Sequence, residues 1–260
     1  KSGSVSTNKF DDASIKEAVK KSEDIARVSP DNKEFMPPLG AQNYVTATNF
    51  SSDTENLTGE KRSDKVAYVI EQSIANSVTS AGYMEDGATF YALMNTNGLF
   101  AYNKSSMAKL SSTIRTNDGT GSGRFEKNYV DVNKINGSGL ADWAINRSKL
   151  SVNPQEIKPG RYTVILEHAA AADMLSLCLN FMGSRWADEG RSYFSKKGGG
   201  TIIGDTIADS KLNIYSDPND PNAPASPFSN SGEPQEKIVW FENGTLKNLH
   251  RNRYWAEKTS

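Results

Sequence analysis

The sequence predicts an α+β fold: an antiparallel sheet carrying helices, followed by part of a β-rich unit. Three observations point to it. The apolar period changes from helical to alternating after about residue 80. Steps suited to tight turns recur at Asn97-Gly98, Asp118 to Gly123 and Asn243-Gly244. A stretch with two prolines and no periodicity, residues 151–160, divides a first unit, 1–150, from a second, 151–260.

Each element follows from local pattern. Residues 13–28 read as an amphipathic helix, with Ile15, Ala18, Val19, Ile25 and Ala26 at helical spacing between Lys and Glu. Residues 30–58 are rich in Pro, Asn, Ser and Thr, and predict a long connection with a short strand at 44–47. A second helix is expected over 63–80, with Val66, Val69, Ile70, Ile74 and Val78 as its apolar stripe. Residues 88–95 and 99–103 pair across the Asn-Gly step. Residues 107–116 pair with 124–132 across DGTGSG. A short helix at 139–150 closes the first unit. In the second unit, RYTVIL (161–166) reads as a strand and feeds a helix over 168–182, where Ala and Leu are strong helix formers. TIIGDTI, KLNIYSD and KIVWFENGTLKNL read as strands, the last as a hairpin.

Composition excludes several functions. Thirty basic and 31 acidic residues leave a net charge of −1, so nucleic acid is not an expected partner. No apolar run approaches the length of a membrane helix, so no membrane is expected either. The single cysteine, Cys178, cannot form an internal disulfide, and its apolar neighbours predict a small buried side chain. With no leader-like segment, a cytoplasmic protein is expected. The opening KSGSVST and the close RYWAEKTS predict a piece of a longer chain.

The chemistry-bearing stretch is LEHAAAADML, residues 166–175, with GRSYFSKKGGGT at 190–201. The Gly198-Gly199-Gly200 run lacks the spacing of a phosphate loop and predicts a turn. The DPNDPN loop at 217–222 has no closing Glu for calcium and reads as turn-forming. Lys247, His250, Arg251 and Arg253 cluster with Tyr254 and Trp255, and are expected to line a strand and a domain or subunit contact. Ser192 with His168 has no nucleophile-elbow motif, so no triad is expected.

VILEHAAAADML, GRSYFSKKGGGT, Asp217-Pro218, SGEPQEKIVWFENGTLKNL and RYWAEKTS occur in the order and spacing of the TldD/PmbA family, also called modulators of DNA gyrase. The resemblance runs from about residue 160 to 260, and more loosely through NTNGLFAY in the first unit. It implies that the second unit is the start of the family's C-terminal domain. Catalytic members of this family carry HExxxH on the helix, with a Cys further on completing a zinc site. In this register the chain has His168, Ala169 and Asp173. Alanine accepts no proton, and one His with one Asp is a poor zinc pair. Glu167 precedes the His and points about 100° away from the base position.

The resemblance therefore implies the TldE-like branch, a pseudoenzyme, with His168 and Asp173 as degenerate metal positions and no cofactor in this chain. Zinc belongs to the catalytic members. Expected partners are a second copy or an HExxxH-bearing TldD-like subunit, and unfolded peptides. Arg191, Ser192, Gly198, Gly199 and Gly200 are the candidate channel residues. Two alternatives stand beside this reading: a divergent zinc peptidase active by itself, and a non-enzymatic peptide-binding module.

Overall fold

The computed structural model describes residues 1–259. Helix α1 (Asp12–Val28) starts where the Asp11 carboxylate accepts a hydrogen bond from the Ser14 N–H. It buries no residue, although Gly3 lies so close that a Cβ there would meet Ser22 O at 2.1 Å. A long connection leads to the short α2 (Ser52–Glu55) and then to α3 (Gly59–Ala75), capped by Thr58.

The sheet of the first unit has the order β1-β2-β3 and is antiparallel throughout. Strands β1 (Val78–Met94) and β2 (Phe100–Thr116) are 17 residues each, and β3 is Ser122–Tyr129. Both expected hairpins form, and their inner strands, 99–103 and 107–116, are one unbroken β2 that pairs with β1 along its whole length. The helix expected to reach residue 80 ends five residues earlier. Asn76 terminates it, and Ser77 takes φ 53° to turn the chain into β1.

A 3₁₀ turn (Val132–Lys134) leads into α4 (Gly137–Leu150), capped by the Asn136 side chain. Helices α3 and α4 cover one face of the sheet. Val69, Ala108, Leu110, Ile114, Phe125, Ala144 and Ile145 form the core between them. On the other face, near the β1–β2 turn, Leu99 and Ala101 pack on Phe228, with Leu39, Tyr44 and Leu93 around them. The sheet thus joins the chain's two halves.

The second unit contains α5 (His168–Leu179), α6 (Ser184–Asp188), β4 (Ile214–Ser216), β5 (Ile238–Glu242), β6 (Thr245–Leu246) and α7 (Arg253–Thr259). Its core is Met182, Ala187, Phe194, Phe241, Leu246 and Leu249. The hairpin at Asn243-Gly244 is present, with both residues at positive φ.

Five local expectations differ. No strand forms at 44–47, and residues 161–166 are extended without a partner strand. Of TIIGDTI and KLNIYSD only Ile214–Ser216 is strand, the rest being turns with isolated bridges. Of the C-terminal cluster, Arg253, Tyr254 and Trp255 are helical rather than extended, because the Asn252 side chain accepts from the Trp255 N–H and starts α7. Helix α5 stops at Leu179, where the chain tightens into turns.

The whole is an α+β fold, and no described helix is long and apolar enough to cross a membrane.

Candidate functional site

Helix α5 carries the degenerate register. Its composition makes it helical on propensity alone, and it contributes no buried residue. His168 is the first helical residue and is exposed. Its Nε2 lies 3.0 Å from Lys127 Nζ on β3. An ammonium only donates, so Nε2 is the acceptor in this contact. The residue before it, Glu167, forms an ion pair with Arg147 of α4. Two polar contacts from adjacent residues therefore tie the start of α5 to the sheet unit.

Asp173 is exposed, and no ion pair or hydrogen bond from its carboxylate joins it to His168 among the described residues. No three His, Cys, Asp or Glu side chains among the described residues come together to hold a metal. A catalytic zinc takes three protein ligands and an open position. His168 and Asp173 supply two donors, and the ring nitrogen of one already faces a cation. This set does not fit zinc.

The remaining candidates are held by their own neighbourhood. The Arg191 guanidinium binds Glu189, whose carboxyl is held below its usual range by Arg185 first and Arg191 second. Ser192 Oγ donates to Phe181 O at 2.9 Å and accepts from the Phe194 N–H, joining the turn after α6 to the end of α5. Gly198, Gly199 and Gly200 all have positive φ, at 97°, 115° and 81°. A Cβ on any of them would meet no atom within 4 Å, so the demand for glycine is torsional. They form an exposed tight turn closed by Lys196 N–H to Gly200 O.

Cys178, expected to be buried, is exposed. It lies on a helix that is apolar on every side, beside Met174 and Leu177, which are 61% and 66% exposed. The preceding segment continues the patch, with Val164 at 68% and Ile165 at 92%.

The basic cluster is engaged within the chain: Lys247 pairs with Glu242, and Arg253 donates to Pro37 O. His250 is part of a parallel bridge to Gly183 and lines a cavity of about 530 Å³ at the end of α5. Sequence reasoning missed Lys127 and Arg147. Both lie far along the chain from α5, and no local pattern marks them.

Residues 159–260 match the PmbA/TldA metallopeptidase C-terminal domain. Three solved structures share the fold. One is a proposed modulator of a DNA gyrase from Thermotoga maritima, with TM-score 0.80 and 17% identity over 94% of this chain and 56% of its own. Another is TldE from Thermococcus kodakarensis, with TM-score 0.78 and 16% identity over 96% and 57%. The third is a proposed modulator of DNA gyrase from Bacteroides thetaiotaomicron, with TM-score 0.80 and 18% identity over 98% and 60%. This chain therefore spans less than two thirds of each of these proteins. No curated protein matches it.

Residues 159–260 are thus similar to the C-terminal domain of the PmbA/TldA metallopeptidases, and the fold is shared with these three structures.

Proposed function

We propose that this chain is part of a TldE-like, non-hydrolytic subunit of a cytoplasmic TldD/PmbA-type zinc metallopeptidase complex that degrades unfolded peptides. The observation that carries the reading is the α5 register itself. Ala169 stands in the place of the general base, Asp173 in the place of the second His, and His168 faces Lys127. A helix so altered keeps its shape and loses both the proton acceptor and a neutral nitrogen donor.

The subunit pairs with a second copy or with an HExxxH-bearing TldD-like subunit, which supplies the zinc. Its own contribution is to dimerise, line the chamber and limit access, with Arg191 and the exposed glycine turn at 198–200 bordering the peptide path. The exposed apolar strip from Val164 through Leu177 supports a reading in which further protein covers this surface.

Two measurements test this. Metal analysis of the purified full-length protein is expected to give less than stoichiometric zinc. Stoichiometric zinc lost on His168→Ala would overturn the proposal in favour of a divergent peptidase. Native co-purification with an HExxxH homologue, or dimerisation, is expected, and a monomer without partner would leave only a stand-alone binding module.

A further inference from the structure

A cavity of about 510 Å³ lies away from α5, where β1 and β2 and the end of β3 face the loop at 222–226. Its size falls within the range of ligand sites, about 300–1,000 Å³. None of its lining side chains carries a charge. Four of them are asparagines: Asn49, Asn103, Asn128 and Asn222. Among the described residues, their side-chain amides make no hydrogen bond within the protein, and neither do the Ser105 and Tyr91 hydroxyls. Asn49 is 7% exposed, and its Oδ1 has no partner. A buried amide oxygen left unpaired is costly, and native proteins rarely leave one so.

The chemistry narrows the ligand. With no cation in the lining, phosphates and carboxylates gain nothing here. With no carboxylate, neither do metals or basic groups. Four uncommitted primary amides present donors and acceptors in adjacent pairs. One peptide unit presents the complementary pair, an N–H and a C=O.

We propose that this cavity binds a neutral segment of extended polypeptide by its main-chain amides, with Asn49, Asn103, Asn128 and Asn222 as the recognising groups. The idea deepens the chamber reading, in that it names how this chain holds peptide, but it does not require a catalytic partner.

The test uses the whole chain with an acetylated, amidated pentapeptide of alternating alanine and serine, titrated by amide-resolved NMR. Saturable shifts are expected at Asn49, Asn103, Asn128 and Asn222. The double variant Asn103→Ala/Asn128→Ala is expected to weaken binding about tenfold, as the loss of two neutral hydrogen bonds implies. Neither side chain makes a hydrogen bond elsewhere among the described residues, so the variant is expected to keep its fold, which its amide spectrum checks. On the unaltered chain, the same peptide N-methylated at every residue is expected to lose binding. Absent shifts, an unaffected double variant, or equal binding of the N-methylated peptide would each overturn the proposal. So would a neutral glucose oligosaccharide that shifts these residues while the peptide does not. Failure here leaves the subunit reading intact, because that one stands or falls on zinc content and co-purification.

Discussion

Gly123 is the position at which the sheet and α4 touch, and replacing it by alanine measures how tightly. The residue is buried on β3, opposite Ile114 of β2. A Cβ there would lie 2.1 Å from Ala144 O and 3.0 Å from Arg147 Cβ. The nearest atom is helix backbone, which cannot rotate aside, so α4 must withdraw by roughly 1 Å or more to restore ordinary contact. Withdrawal loosens Ala141, Ala144 and Ile145, all 4% exposed or less, from the sheet. Overpacking of this kind costs about 1–3 kcal/mol, and the backbone contact puts Gly123→Ala near the upper end, about 2–3 kcal/mol. For a chain of this size that corresponds to a fall in Tm of about 5–10 °C. Gly87→Ala on β1 is the control, since its Cβ meets no atom within 4 Å and its φ is not positive. Paired urea and thermal unfolding of the two variants reads the difference. A Gly123→Ala protein within about 0.5 kcal/mol of the parent would refute the packing argument, because surface changes alone fall in that range.

Trp255→Phe removes the indole N–H that donates to Asp188 Oδ2 at 2.7 Å from a nearly buried ring, and is expected to cost about 1–2 kcal/mol in urea unfolding. An unchanged midpoint would mean that α7 does not depend on that bond. Glu126 accepts from Lys109 and Arg124, and the Lys109 contact first of all holds its carboxyl below the usual range. A depressed folded pKa adds stability above the unfolded value, near 4.5, and loses it as pH falls through the folded one. Glu126→Gln should therefore flatten the acid limb of a stability–pH profile below about pH 4.5, and an unaltered limb would contradict this. Asp173→His together with Lys127→Met is expected to bind zinc about two- to fivefold more tightly than Asp173→His alone, the worth of displacing an exposed Lys contact. Equal affinities by calorimetry would show that Lys127 does not compete for the imidazole nitrogen.

The α+β class was legible because hydrophobic period and turn chemistry are local signals. Helices α1, α3 and α4 and the Asn243-Gly244 hairpin appear close to where spacing puts them. The continuity of β1 and β2 was not legible. Gly82, Gly87 and a run of serines interrupt the alternation, and only pairing across the sheet carries the strands through them. RYTVIL has the composition of a strand, yet a strand exists only with a neighbour, and the sequence names none. Asn252 hid the start of α7, since one capping side chain decides between helix and extended chain there. At the candidate site the register from His168 to Asp173 could be counted in the sequence. What occupies the imidazole could not, because Lys127 is 41 residues away and meets it only through the fold.

The electrostatics at the head of α5 explain why such an arrangement can persist. A helix N-terminus disfavours positive charge, and Lys127 brings one to the first residue of α5. The His168 Nε2 gives that ammonium an acceptor in place of water. Glu167, one residue earlier, sits where a carboxylate is favoured by the helix dipole and ties Arg147 to the same point. The alternation of Lys127, His168, Glu167 and Arg147 is thus self-consistent without a metal, and each member comes from a different part of the joint between the units or flanks it. A helix that is apolar all round has no amphipathic face to direct its docking. These polar contacts at one end hold it to the first unit instead, while Met174 and Leu177 stay exposed.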